Sequence, residues 1–221
     1  MSGGLVGAQV LAGRLHLPLL AVAAAGEGAL LLLALLLAGL DRRGFARLGF
    51  GGGWRGFDFA AVPLLIFAHY AVSMVVGVAM TLTHRLPQTN RAMLSLGAIA
   101  QMPLGQALLL ALAIAGLAGI CEEVAFRGYL IPRLEAAGSP TWLAVLLSAL
   151  AFGALHVPGY GVIASLPKVI SFAIPLGAYF AWRRSIWPAI VTHFLVDFSG
   201  LLLLIGVARL FPHGVPLPPG F

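Results

Sequence analysis

A chain of 221 residues that is 61% hydrophobic and only 9% charged, with a mean hydropathy of +1.02, excludes a water-soluble globular domain. Its net charge of +6 comes from thinly spread Arg and Lys with no basic block or aromatic-basic module, so nucleic acid is excluded as a partner. The single cysteine, Cys121, rules out an internal disulfide framework and a thiolate zinc site and reads as a small packing residue.

The apolar residues fall in blocks close to the ~20 residues that a helix needs to cross a ~30 Å hydrocarbon core. The run from Ala29 to Leu40 has no polar side chain at any step, where a membrane barrel would alternate. The fold expected is all-α, a polytopic membrane bundle of about six transmembrane helices enclosing a polar cavity. The first span covers Leu17 to Leu40; hydrophobicity resumes directly after Glu27, which separates it from a signal peptide. A loop from Asp41 to Asp58 follows, mixing Arg42, Arg43, Arg47 and Arg55 with Phe45, Phe50, Trp54 and Phe57. Such a mixture suits the headgroup layer, and its run Gly51-Gly52-Gly53 argues against one continuous helix.

The second span runs from Ala60 to Leu82 and the third from Gly105 to about Tyr129. The fourth, Thr141 to His156, is short, because Pro140 opens it and Pro158 with Gly159 should stop it just after His156. The fifth, Val162 to Trp182, contains Pro167, Lys168 and Pro175 and should be kinked or broken. The sixth covers Ile186 to Leu210, and the proline-rich tail from Pro212 to Phe221 should be extended. Arg42, Arg43, Arg47, Arg55, Arg127, Arg133, Arg183 and Arg184 all fall in or beside the segments after spans one, three and five. The positive-inside rule then puts those loops together in the cytoplasm, with both termini outside.

Ionisable residues in spans cost about 2.5–3.5 kcal/mol each on insertion scales and are functional candidates by default. Of seven Asp and Glu residues, Glu27, Glu122, Glu123 and Asp197 fall in or at the edge of spans, whereas Asp41, Asp58 and Glu135 read as ordinary loop acids. Glu123 and Arg127 stand four apart with the acid first, the favourable order for a helical ion pair. Glu122 then points more than a quarter-turn away and is left to act as a general base on water. Phe152 and His156 stand one above the other on the fourth helix, and His193 and Asp197 do so on the sixth. Polar groups in a membrane turn toward one another rather than toward lipid, so the three helices should gather them. Ser148 and Ser171 lack a nucleophile-elbow context, and Cys121 sits beside two acids, a poor setting for a thiolate nucleophile. His69 and Tyr70 read as packing and hydrogen-bonding residues, and Glu27 as a structural partner for a base such as Lys168.

The ordered set Glu122-Glu123-x-x-x-Arg127, Phe152-x-x-x-His156 and His193-x-x-x-Asp197 resembles the CAAX-protease and bacteriocin-processing family of intramembrane endopeptidases, which includes the Ras-converting prenyl-protein protease. The likeness covers Ala115 to Gly200. It implies that Glu122 and His156 activate water, that His193 and Asp197 hold the oxyanion, and that Glu123, Arg127 and Phe152 organise the bundle. Asp197 is a departure, since some members carry asparagine there, and an ionised aspartate cannot donate to an oxyanion. Either Asp197 is protonated or it orients His193, which then donates.

The expected organisation is one membrane domain over residues 1–221. It would comprise a two-span region with an interfacial loop (1–103), a catalytic four-helix core (104–210) and the tail (211–221). The substrate expected is a prenylated, lipidated or otherwise membrane-anchored protein or peptide cleaved near its C-terminus. Membrane lipids are the other partner, in a bacterial cytoplasmic membrane, with no cofactor. A zinc enzyme is the nearest alternative, with Glu122, His156 and His193 as ligands. A proton-coupled transporter using Glu27, Glu122, His193 and Asp197, or a non-catalytic membrane scaffold, completes the alternatives.

Overall fold

Small residues recur every fourth position along the third apolar block, at Ala107, Ala111, Ala115 and Gly119, and all four are buried in the structure. Such a stripe lets two membrane helices approach closely where lipid offers no hydrophobic drive for association. The computed structural model describes residues 19–41, 44–83, 99 and 102–211. The tail 212–221 and Arg14, Arg42, Arg43, Arg85 and Arg91 lie outside the described residues.

The described chain is helical throughout its regular elements. Helix α1 spans Leu19–Gly39, α2 is the short Gly44–Arg47 and α3 spans Asp58–Leu82. Helix α4 runs Leu104–Ala136, α5 Thr141–Tyr160, α6 Val162–Arg183 and α7 Trp187–Leu210. Helices α3 to α7 are each long and apolar enough to cross a membrane. Helix α1, with 21 residues and a length of about 32 Å, brings the number of spans to about six. This is an integral multi-pass membrane protein.

Three boundaries depart from the sequence reading. Helix α4 continues to Ala136 because its backbone widens into a π-helical segment, Val124–Leu130, and then resumes. Helix α5 does not stop at His156. Pro158 sits in its last turn, where it forfeits one hydrogen bond without breaking the helix, and the end comes at Gly161 with φ +81°. In α6, the expected kink takes the form of a second π-helical segment, Lys168–Ala173, with the helix continuous on either side.

The stripe on α4 packs along α7. A Cβ on Gly119 would stand 3.1 Å from Phe194 N and 3.2 Å from Ile190 O, a backbone approach that glycine permits. Farther along, Ala107 and Ala111 meet Leu201 and Ile205, and Arg209 donates to the Met102 carbonyl. Helix α1 lies against α4 through Leu30, Ala34 and Ala38, spaced four apart.

The loops after α1, α4 and α6 meet at one end, as alternating spans require. Ile186 N donates to Gly49 O, Ser185 Oγ to Gly52 O and Arg183 Nη2 to Gly53 O. Gly52 fits because a Cβ there would sit 2.7 Å from the Arg184 carbonyl. Two of the supposed loop acids are structural. Asp58 is fully buried and accepts from Arg183 Nε at 3.0 Å, Arg183 Nη2 at 2.9 Å, the Arg55 amide and the Tyr179 hydroxyl. Glu135 takes both Arg184 Nη atoms, at 2.7 and 2.8 Å. A hollow of about 460 Å³ opens at this end, lined by Arg47, Glu135 and Arg184 among others.

Candidate active site

The stripe that carries Gly119 to the α7 backbone carries Glu123 one turn farther along the same face, and His193 meets it there. His193 Nδ1 lies 2.7 Å from Glu123 Oε1. A carboxylate only accepts, so Nδ1 carries the proton in this contact. The same Glu123 Oε1 accepts from Arg127 Nη1 at 2.8 Å, the ion pair expected from the spacing. Glu123, Arg127 and His193 are 0%, 1% and 3% exposed, which puts the network out of reach of water.

Glu122, one residue earlier, turns to the other side of the same imidazole. Its Oε2 stands 3.9 Å from His193 Nε2, and Asp197 Oδ2 stands 3.4 Å from that nitrogen. Glu122 Oε2 is buried and meets no N–H or O–H donor among the described residues. Both ring nitrogens of His193 therefore face carboxylate oxygens, an arrangement that presents this histidine as a donor. Its orientation comes from Glu123, the role the sequence reading left to Asp197. Asp197 instead shares the Nε2 face with Glu122.

His156 joins through an aromatic hub. The Phe152 ring, 1% exposed, lies 4.6 Å from the His156 ring and 5.9 Å from the His193 ring, centroid to centroid. The Arg127 guanidinium sits over its face at 4.7 Å. One phenyl thus spaces both imidazoles and caps the buried cation, which explains the Phe in the Phe-x-x-x-His spacing. His156 Nδ1 donates to the Phe152 carbonyl at 2.9 Å, and this leaves Nε2 as the acceptor nitrogen. Among the described residues no hydrogen bond or ion pair joins His156 to Glu122. The two approach the site from α5 and α4.

Sequence reasoning missed Phe172, whose ring edge meets His193 at 4.8 Å and Arg127 at 5.8 Å. It lies in the π-helical segment of α6, and nothing in an apolar run marks one phenylalanine from another. Glu27 was also misplaced. Lys168 Nζ lies over the Tyr160 ring at 4.7 Å and no described ion pair joins it to Glu27, whose carboxyl instead reaches that of Glu122. His69 and Tyr70 behave as expected: His69 Nδ1 meets Ser171 Oγ at 3.1 Å and the Tyr70 hydroxyl donates to Val196 O at 2.8 Å. Ser171 and Ser148 give their protons to the carbonyls of Pro167 and Phe126, so neither hydroxyl is presented as a nucleophile. No group of three His, Cys, Asp or Glu among the described residues has the spacing to hold a metal ion. The set Glu122, His156 and His193 is therefore not gathered as ligands.

A family model described as "Type II CAAX prenyl endopeptidase Rce1-like" matches residues 104–199. That segment is Rce1-like. It starts at the first residue of α4 and ends just past Asp197, and so holds Glu122, Glu123, Arg127, Phe152, His156, His193 and Asp197 together. The Rce1-like match supports an intramembrane protease of the CAAX type, within the CAAX-protease and bacteriocin-processing family. Helices α1 and α3 lie outside the Rce1-like segment. No curated protein and no solved structure matches the chain.

Proposed function

We propose that this protein is a glutamate-dependent intramembrane endopeptidase, needing no metal, that cleaves a membrane-anchored or lipidated protein near its C-terminus in a bacterial cytoplasmic membrane. The observation that carries the reading is His193 held by Glu123 through Nδ1, with Nε2 turned toward Glu122 and Asp197. Peptide hydrolysis needs a base for water, a donor for the tetrahedral oxyanion and a proton for the leaving nitrogen.

In this reading Glu122 takes a proton from water as the water oxygen bonds to the carbonyl carbon. His156 Nε2, its Nδ1 proton committed to Phe152, accepts the second water hydrogen bond and orients the attack. The carbonyl π electrons move onto oxygen, and His193 Nε2–H donates to that oxyanion. Collapse breaks the C–N bond, and the amine leaves with the proton that Glu122 had taken. Asp197, at 3.4 Å from Nε2, supports His193 electrostatically; as an acceptor it does not bind the oxyanion itself. Lipid and a membrane-embedded substrate segment are the partners this site would meet, since its residues lie within the spans.

The test is a comparison of protein termini in membranes from cells carrying the wild-type protein or Glu122→Ala. The reading expects uncut substrates to accumulate with the variant. Identical termini, with the variant folded and present at the wild-type level, would contradict it.

A further inference from the structure

Glu27 is the remaining acid inside the bundle, and nothing in the Rce1-like segment contains it. It lies on α1 on the same face as Leu31, Ala34 and Ala38, the face turned toward α4. Its Oε2 is buried and meets no described N–H or O–H donor. Glu122, across the contact, is 6% exposed, and its own Oε2 is likewise buried with no donor. The nearest cation that could have neutralised Glu27 by sequence, Lys168, is engaged with the Tyr160 ring. What Glu27 has within hydrogen-bonding reach is the carboxyl of Glu122.

Two carboxyl groups hydrogen-bond only through a proton carried by one of them, and two full negative charges in contact away from water repel strongly. We propose that Glu27 is a positioning residue for Glu122: the two carboxyls hold one proton between them in a hydrogen bond across the α1–α4 contact. That bond fixes the Glu122 carboxyl plane and keeps a lone pair of its other oxygen turned toward the reacting water. The inference rests on the reading of Glu122 as the base. In the hydrolytic step the proton taken from water goes to the free Glu122 oxygen and leaves with the amine. The Glu27 proton stays in the pair throughout, so the balance of the reaction is unchanged. The first span, outside the Rce1-like segment, thereby completes the site.

Infrared spectroscopy of the full chain in lipid nanodiscs tests the pair without any substrate. The wild type should show the C=O stretch of a protonated carboxyl at neutral pH that moves in D2O. The band should vanish in Glu27→Gln and vanish or shift in Glu122→Gln. Absence of the band, or a Glu27 band indifferent to Glu122→Gln, overturns the proposal. Kinetics on a reporter that the wild type cleaves supply the second readout. Glu27→Gln, whose amide can still donate to Glu122, should keep kcat within about threefold, whereas Glu27→Leu should lose about tenfold or more in kcat with little change in KM. The pH profile of Glu27→Gln should lack one ionisation that the wild type shows. A Glu27→Leu protein with the wild-type kcat and pH profile also overturns the proposal. If Glu27→Leu does not fold, the infrared spectra and the pH profile of Glu27→Gln decide the matter. A wild type that cleaves nothing would sink the endopeptidase reading alone, while the infrared result would still decide the carboxyl pair.

Discussion

Replacing Arg127 by leucine should cost this protein a large part of its stability, and a double-mutant cycle with Glu123→Leu should show why. The Arg127–Glu123 bond is 2.8 Å long with side chains 1% and 0% exposed, so truncating one partner strands a charge away from water. Breaking such a pair costs roughly 3–5 kcal/mol. The lower half of that range applies to Arg127→Leu, because His193 Nδ1 still donates to Glu123 at 2.7 Å. Loss of the guanidinium over Phe152 adds about 1 kcal/mol. The single variant should therefore lose about 4 kcal/mol, and Glu123→Leu a similar amount. The double variant strands neither charge, so it should cost several kcal/mol less than the sum of the two. Equilibrium unfolding of the full chain in mixed micelles, with helicity as the signal, measures all three. Single losses under about 1 kcal/mol, or strict additivity, would refute the argument that this pair is a desolvated unit.

Gly119→Ala places a Cβ 3.1 Å from Phe194 N, a backbone atom that cannot rotate away. Helix α7 must shift by a few tenths of an ångström, and His193 moves with it. Cleavage should fall roughly tenfold or more while the fold persists, which a kcat measurement beside a thermal melt checks; a wild-type rate would contradict the close approach as the element that sets the site. At the loop end, Asp58→Asn leaves the buried Arg183 without its anion and should cost about 1–3 kcal/mol. Limited trypsin digestion should then cut at Arg55 sooner than in the wild type, and an unchanged rate of cutting would show that Asp58 does not hold the loop.

The parts of the fold that read plainly from sequence are those set by composition and helical period. Apolar blocks marked the spans, and the four-residue spacing of Glu123 with Arg127, and of His193 with Asp197, placed each pair on one face. The fate of Pro158 was not legible, because a proline in a last turn and one beyond the helix differ only in where the next left-handed glycine falls, here Gly161. The π-helical turns were hidden for a related reason: they alter which carbonyl each N–H finds without altering hydrophobicity. Asp58 looked like a loop acid since its partners, Arg183 and Tyr179, come from a helix more than a hundred residues away. The candidate site divided in the same way. Its charged members stood out against an apolar background, whereas Phe172 did not, and the pairing of Glu27 with Glu122 depends on the packing of α1 on α4, which no local pattern encodes.

The most direct measurement is the turnover of purified wild-type and Glu122→Gln protein in nanodiscs on one membrane-anchored reporter that the wild type cleaves. Glutamine keeps the size of the side chain and cannot take a proton from water, so kcat should fall by a factor of about 10²–10⁴ with the fold intact. A Glu122→Gln protein that cleaves within about threefold of the wild-type rate would contradict the claim that Glu122 activates water.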